Sequence, residues 1–230
     1  MNGIMNVVFA LLLSVSTAVP AHSQSIEWET LNDEVNSLYN QGKYDRAIVV
    51  AKKALQVAEQ SVDPNHPGVA TSLNILAMLY EAQGQYAQAE PLYKRSLAIW
   101  EKSLGPNHPY VATGLNNLAE LYRNQGQYAQ AEPLFKRSLA IWEKSLGSIH
   151  PDVATSLNNL AMLYEAQGQY AQAEPLFKRS LAIREKALGP SHPNVASSLE
   201  NMAEMYRKTG REKAAEKLEK RAAAIRAIQR

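Results

Sequence analysis

Residues 83–92 read QGQYAQAEPL, and the same ten letters return at residues 125–134 and at residues 167–176. The central glycine belongs to a longer series with a constant spacing of 42 residues: Gly42, Gly84, Gly126, Gly168 and Gly210. A fixed period of this length is typical of an array of small structural units, none of which buries its apolar face alone. The sequence therefore predicts a stacked repeat rather than a domain built around one central site.

Each period predicts two helices joined by a turn. Apolar residues at helical spacing mark the first helix, and the junction Pro109 suits its first turn, where a missing N–H costs no hydrogen bond. Either His108 or Asn107 is expected to cap this helix. Gly126 is expected to end it in a left-handed conformation. The second helix is predicted to bury one side chain or more from each turn: Tyr128, Ala131, Leu134, Phe135, Leu139 and Trp142.

The spacing of the apolar residues places the array at residues 26–230. The predicted units are approximately 28–61, 70–103, 112–145, 154–187 and 196–230. Residues 70–103 and 154–187 differ at only four positions, so these two units are near copies. The last helix carries a narrow apolar stripe under dense charge, which is typical of the cap that closes an array.

The motif Leu115, Leu118-Ala119, Tyr122, Gly126, Tyr128, Ala131 and Phe135 resembles the tetratricopeptide repeat. The 42-residue length, the LFKRSLAIWEK helix and the LGPNHPxVA junction are similar to the kinesin-light-chain-type variant. The resemblance covers about residues 28–230 and departs in the first unit, where Glu34, Val35 and Leu38 replace Leu, Ala and Tyr. It implies an all-α fold, a right-handed superhelical solenoid of about five antiparallel helix pairs.

The N-terminal segment predicts a secretory signal peptide over residues 1–23. An apolar run from Val7 to Val15 precedes small residues that fit cleavage after Ala21 or Ser23, although no lysine or arginine precedes the run. We expect an exported protein of the bacterial periplasm. The alternative is an uncleaved segment that anchors the chain in the inner membrane, for which the run is shorter than the ~20 residues of a spanning helix.

Composition and motifs exclude most catalytic chemistry. The 230 residues include 24 basic and 22 acidic side chains and no cysteine, so there is no thiol nucleophile and no strong net charge. No metalloprotease, phosphate-loop or hydrolase-elbow motif occurs. The histidines at equivalent junction positions lie at least a helix spacing of roughly 8–10 Å apart, too far to share a metal ion. We predict no enzyme activity, no cofactor and no metal.

A basic pair recurs on each middle second helix: Lys94-Arg95, Lys136-Arg137 and Lys178-Arg179. A glutamate four residues before each lysine is placed to neutralise it, which argues against nucleic-acid binding. Trp100 and Trp142 share a position with Arg184, and we therefore expect these tryptophans to be partly exposed.

The resemblance implies that the first helices line a concave groove, and asparagines recur along it. Because an asparagine side chain both donates and accepts, a row of them matches the backbone of an extended peptide. The alternative is that these amides bond to neighbouring helices or to water. Acidic and basic residues alternate at another position, so stacked neighbours are expected to pair. The predicted partner-binding residues are Asn74, Asn116, Asn117, Asn158, Asn159, Asn201, Glu81, Glu120, Arg123, Glu165 and Arg207.

These observations predict a non-catalytic scaffold that holds a peptide segment or a partner protein in the groove. We expect no nucleic-acid partner, no small-molecule substrate and no membrane contact except through an uncleaved N-terminal segment. The alternative function is a structural spacer or a self-assembly module of an envelope complex that uses its convex face or its ends.

Overall fold

The computed structural model describes the backbone of residues 19–228 and the side chains of residues 26–228. The described residues form ten α-helices and no strand, which confirms the all-α prediction. The helices are α1 (Val19–Asn40), α2 (Tyr44–Ser61), α3 (Pro67–Ala82), α4 (Tyr86–Leu104), α5 (Pro109–Asn124), α6 (Tyr128–Leu146), α7 (Pro151–Ala166), α8 (Tyr170–Leu188), α9 (Pro193–Lys208) and α10 (Glu212–Ala227).

The helices pack in sequence order within two compact units. The first unit ends at Pro106 and contains α1 to α4, and the second begins at Asn107 and contains α5 to α10. Within each unit every helix packs on the next one along the chain, most extensively inside the pairs that a short turn connects. In the second unit the first helices α5, α7 and α9 also contact one another in that order. The predicted helix pairs are therefore present.

Junction histidines start the first helices of four pairs. The backbone N–H two residues on donates to the Nδ1 of His66, His108, His150 and His192, at 3.0, 3.1, 3.2 and 3.1 Å respectively. The histidine, not Asn107, is thus the cap. These helices begin at the junction proline, three residues before the predicted unit boundaries, because the cap lies directly before that proline.

Glycine ends the helices as predicted. Gly126 closes the turn after α5 with φ of 73°, a conformation that a side chain disfavours. Gly147 stops α6 with φ of 84° and an extended ψ of 157°.

Each middle second helix carries one buried serine that donates a hydrogen bond to the first helix of the same pair. Ser96, Ser138 and Ser180 donate to the carbonyls of Ala70, Ala112 and Ala154 at 2.7, 2.8 and 2.7 Å. In the terminal pairs Ala54 and Ala222 occupy this position and pack in apolar clusters instead. Of the residues predicted to be buried on α6, Ala131, Phe135 and Trp142 are buried, whereas Tyr128, Leu134 and Leu139 are half-buried.

The expected partial exposure of the tryptophans is wrong. Trp100 is fully buried, Trp142 is 7% exposed, and Arg184 at the equivalent position is itself only 8% exposed. Burial of the arginine is possible because its guanidinium donates to the Asn194 carbonyl at 3.2 Å and to the Ser198 hydroxyl at 2.7 Å. An arginine at this position therefore does not indicate a surface.

The basic pairs are neutralised as predicted. Lys94, Lys136 and Lys178 form ion pairs with the glutamates four residues earlier, at 2.7, 2.6 and 2.8 Å. Two of the neighbouring arginines reach the second helix of the preceding pair: Arg95 binds Glu59 at 2.8 Å and Arg179 binds Glu143 at 2.6 Å.

Between residues 19 and 228, none of the helices combines the length and the apolarity that a membrane crossing requires. The apolar run of the predicted signal peptide lies outside the described residues. Helix α1 begins at Val19, nine residues ahead of the predicted first unit at residue 28.

Candidate partner-binding face

Three first helices of the second unit carry equivalent polar positions along one side. The positions recur at i, i+3, i+7 and i+10 within each helix, a spacing that places them on one face. We call this set the first-helix face. Its members are Thr113, Asn116, Glu120 and Arg123 on α5, Thr155, Asn158, Met162 and Glu165 on α7, and Ser197, Glu200, Glu204 and Arg207 on α9.

Four of the predicted asparagines, Asn116, Asn158, Asn159 and Asn201, bond between the helices that carry this face. The Asn159 amide donates to Asn116 Oδ1 at 3.1 Å, and one repeat later the Asn201 amide donates to Asn158 Oδ1 at 3.1 Å. Each first helix is thereby bonded to the next. The asparagines other than Asn201 are at most 6% exposed: Asn74, Asn116, Asn117, Asn158 and Asn159.

These bonds correspond to the alternative interpretation, in which asparagines bond to neighbouring helices. Direct contact of the same amides with a partner stays a prediction. Without a partner, the bonded asparagines of the second unit position neighbouring residues of the first-helix face, such as Glu120.

Glu120 is the half-buried acid at the centre of the face. It accepts a hydrogen bond from the Asn159 amide and a second from Asn116. Burial raises the pKa of its carboxyl, while the nearby Arg123 guanidinium and Asn116 act in the opposite direction. A carboxylate that has already lost part of its hydration is suited to pair with a cationic group brought by a partner.

Met162 places a thioether beside this acid. Its sulfur lies 3.3 Å from Asn158 Nδ2, 3.7 Å from Asn201 Nδ2 and 3.7 Å from Arg123 Nη1. The side chain is half-buried, so part of its apolar surface faces solvent. The centre of the face thus combines a carboxylate, a guanidinium and an adaptable apolar side chain.

Glu165 and Arg207, stacked neighbours that were predicted to pair with each other, each pair with a different residue. Arg207 binds Glu219 of α10 through two bonds of 2.7 Å and Glu212 at 2.6 Å. The buried Glu165 pairs instead with Lys208 at 3.1 Å. Carboxylates of the last helix capture the arginine because α10 packs directly beside α9. Burial raises the pKa of the Glu165 carboxyl, and Lys208 opposes that shift.

The structure therefore gathers Asn116, Asn158, Asn159, Asn201, Glu120 and Arg123 into one network. Asn74 and Glu81 belong to the first unit, where the Asn74 amide lies 3.5 Å from the sulfur of Met78 and the Tyr93 hydroxyl donates to Glu81 at 2.8 Å. Sequence reasoning missed Tyr93 and Lys208. The signal for Tyr93 was the change to phenylalanine at the equivalent Phe135 and Phe177.

Among the side chains of residues 26–228 there is no group of three histidine, cysteine or carboxylate residues arranged to hold a metal ion.

Comparison with known proteins identifies the repeat. A family model described as tetratricopeptide repeat matches residues 29–102, 73–144, 110–186 and 152–227. A crystal structure of nearly identical TPR-like repeats of a kinesin light chain from Podosopora anserina is 28% identical, with a TM-score of 0.70 over 93% of this chain and 99% of that one. No curated protein matches the chain.

Two further solved structures show the fold alone. BtubC (BKLC) from P. vanneervenii is 24% identical, with a TM-score of 0.73 over 93% of each chain. A Rap protein complexed with competence and sporulation factor is 18% identical, with a TM-score of 0.76 over 87% of this chain and 54% of that one.

Proposed function

The chain belongs to the tetratricopeptide repeat family, whose members are generally protein-interaction scaffolds, and we propose that it binds an extended segment of a protein partner on the first-helix face. The protein acts as a scaffold without catalysis of its own. The Rap protein, which has the same fold, was solved with competence and sporulation factor bound, and such a complex supports a ligand-holding role for this architecture.

One observation carries the proposal. Asn159 of α7 reaches back to both Asn116 and Glu120 of α5, so a buried amide holds a half-buried carboxylate in place before any partner arrives. A preorganised group loses less conformational entropy on binding than a free surface side chain does. Ordinary surface glutamates of this chain, such as Glu90, are instead paired with a lysine on the same helix.

The composition of the face indicates the kind of segment that fits. A lysine or arginine of the partner pairs with Glu120, and an apolar side chain beside it packs on Met162. The neighbouring Arg123 accommodates a carboxylate or a carbonyl oxygen of the same segment. We therefore expect a partner segment with a basic residue next to an apolar one, bound largely through its backbone and these two side chains.

The test is selection of peptides from a displayed random library on the wild-type chain. A selected peptide is then titrated against Glu120→Gln and Met162→Ala by fluorescence anisotropy. We expect peptides that contain a basic residue beside an apolar one, and a loss of affinity of about 10-fold for each variant, the usual cost of one buried charged or apolar contact.

Lys136→Ala is the matched control, because Lys136 lies on α6 and pairs only with groups outside the first-helix face. It should leave peptide affinity unchanged. Selected peptides that bind Glu120→Gln and Met162→Ala as tightly as the wild type would place the interaction on another surface.

We also propose export. The small residues before Ala21 and Ser23 and the apolar run ahead of them support a cleaved leader. N-terminal sequencing of the protein isolated from its own cell should start at His22 or Gln24. A mature chain that still starts at Met1 would contradict cleavage and favour the anchored alternative.

A further inference from the structure

The first and last helices carry opposite charge. In α1 the described side chains include Glu27, Glu29, Asp33 and Glu34 and no lysine or arginine. In α10 there are five basic side chains against three glutamates. The full chain has a net charge of only +2, so the asymmetry is local to these terminal helices.

Each helix presents a charged row on the side away from its core. Glu29 and Asp33 are one turn apart, on the side opposite the buried Val35. Lys213, Lys217 and Lys220 follow i, i+4, i+7 spacing on the side opposite Ala222. All five charged side chains of these two rows are exposed.

These rows differ from the basic pairs of the middle second helices. Lys94, Lys136 and Lys178 have intramolecular partners, and so does Arg221 of α10, which pairs with Glu185. No ion pair within residues 26–228 involves Glu29, Asp33, Lys213, Lys217 or Lys220, whose charges are left available to another molecule.

We propose that the lysine row of α10 in one copy binds the acidic row of α1 in a second copy of this chain. Both rows use i, i+4 spacing, which separates their charges by about 6 Å, so two ion pairs form at once when the helices lie side by side. Ile26 in α1 and Ile228 directly after α10 are 51% and 72% exposed and add apolar contact area.

A second copy fits these rows better than another anion does. Three lysines with Glu216 beside them fall short of the six to ten phosphate contacts that give strong nucleic-acid binding. Each copy, in contrast, carries one acidic row for every lysine row. The contact joins unlike surfaces, so an open chain of copies leaves one row of each kind free, whereas a closed ring or a reciprocal dimer leaves none free.

The association is expected to be weak and sensitive to salt, because the pairs are exposed. Sedimentation velocity of the full chain over a concentration series tests it. At low ionic strength the weight-average sedimentation coefficient should rise with protein concentration, and at about 0.5 M salt, where the screening length is only a few ångströms, it should stay constant.

Paired charge reversals assign the contact. Glu29→Lys with Asp33→Lys, and separately Lys213→Glu with Lys217→Glu, should each abolish the rise, because both rows of such a variant then have the same sign. An equimolar mixture of the two variants should restore it, which a misfolded or merely destabilised variant cannot do.

Lys144→Glu with Lys186→Glu is the matched control. This variant changes the net charge by the same amount as Lys213→Glu with Lys217→Glu, but at exposed lysines of α6 and α8. Its association should equal that of the wild type. Absence of a concentration-dependent rise in the wild type, a rise that survives either reversal, or failure of the mixture to associate would each overturn the proposal.

Discussion

Two carboxylates at equivalent repeat positions, the half-buried Glu81 and the buried Glu165, differ in whether a tyrosine hydroxyl reaches them. In the first unit the Tyr93 hydroxyl donates to Glu81 at 2.8 Å. In the second unit Phe177 occupies the position of Tyr93, so the buried Glu165 has no such hydroxyl beside it and pairs with Lys208 at 3.1 Å. A hydroxyl that donated to this buried carboxylate would add a charge-assisted hydrogen bond, so this position is improvable.

Phe177→Tyr should stabilise the protein. The new hydroxyl is placed to donate to Glu165 as Tyr93 does to Glu81, and we expect the free energy of unfolding to rise by about 1 kcal/mol, measured by urea denaturation. Phe135→Tyr is the control, because Arg123 stands where the carboxylate would be. Equal gains for both substitutions would show that the added hydroxyl acts by some route other than Glu165.

At the level of the element, each first helix from α3 onward is capped by a histidine Nδ1, as α5 is by His108. The cap works only while Nδ1 has a free lone pair to accept the backbone N–H, and protonation removes it. Burial lowers the pKa of His108 below its usual value. A lowered folded pKa means that the cap contributes fully above about pH 6.5 and loses its contribution as the pH falls through the lower folded value.

His108→Asn should keep the cap without its pH dependence. Asparagine also caps well but does not titrate, so the loss of unfolding free energy between pH 7.5 and pH 5 should be smaller than in the wild type. His108→Ala should lower the unfolding free energy by about 1 kcal/mol at pH 7.5. Thermal denaturation of the three proteins at both pH values measures this. An alanine variant as stable as the asparagine variant at pH 7.5 would contradict a capping role.

At the level of the whole molecule, near-identical helix pairs differ at single positions that change the chemistry of a buried side chain. Residues 70–103 and 154–187 differ at four positions, and one of them replaces Trp100 with Arg184. Desolvation lowers the pKa of Arg184 to about 10. Its guanidinium donates hydrogen bonds to α9 and, at 3.4 Å, to Thr155 of α7. The contact between α8 and α9 is thus polar at this position, whereas the equivalent residue of α6 is the apolar Trp142.

Arg184→Trp should raise the unfolding free energy by about 1 kcal/mol, because an apolar side chain replaces a buried charge in a position that accommodates tryptophan elsewhere. Arg184→Ala should lower it by about 2–4 kcal/mol, since it leaves a cavity and removes the donor to Ser198. Urea denaturation of both variants measures these changes. A tryptophan variant less stable than the alanine variant would show that the hydrogen bonds of Arg184 outweigh its desolvation.

Local patterns in the sequence were sufficient for the helices, the turns and the Glu–Lys pairs, and they limited the cap of α5 to His108 or Asn107. Each of these depends on residues two to four positions apart, for example His108 with the N–H of Tyr110, and such distances are set by helix geometry alone. The repeat period also placed the asparagines in register along successive first helices.

Only the tertiary structure decided which of these side chains are buried and what each one binds. The bond from Asn159 to Asn116, the burial of Arg184 and the capture of Arg207 by Glu219 all join different helices. A repeat period aligns equivalent residues, but solvation and pairing depend on the particular neighbour that packs against each of them. That neighbour changes between near-identical units, because one substitution in the adjacent helix is enough to supply or remove a partner.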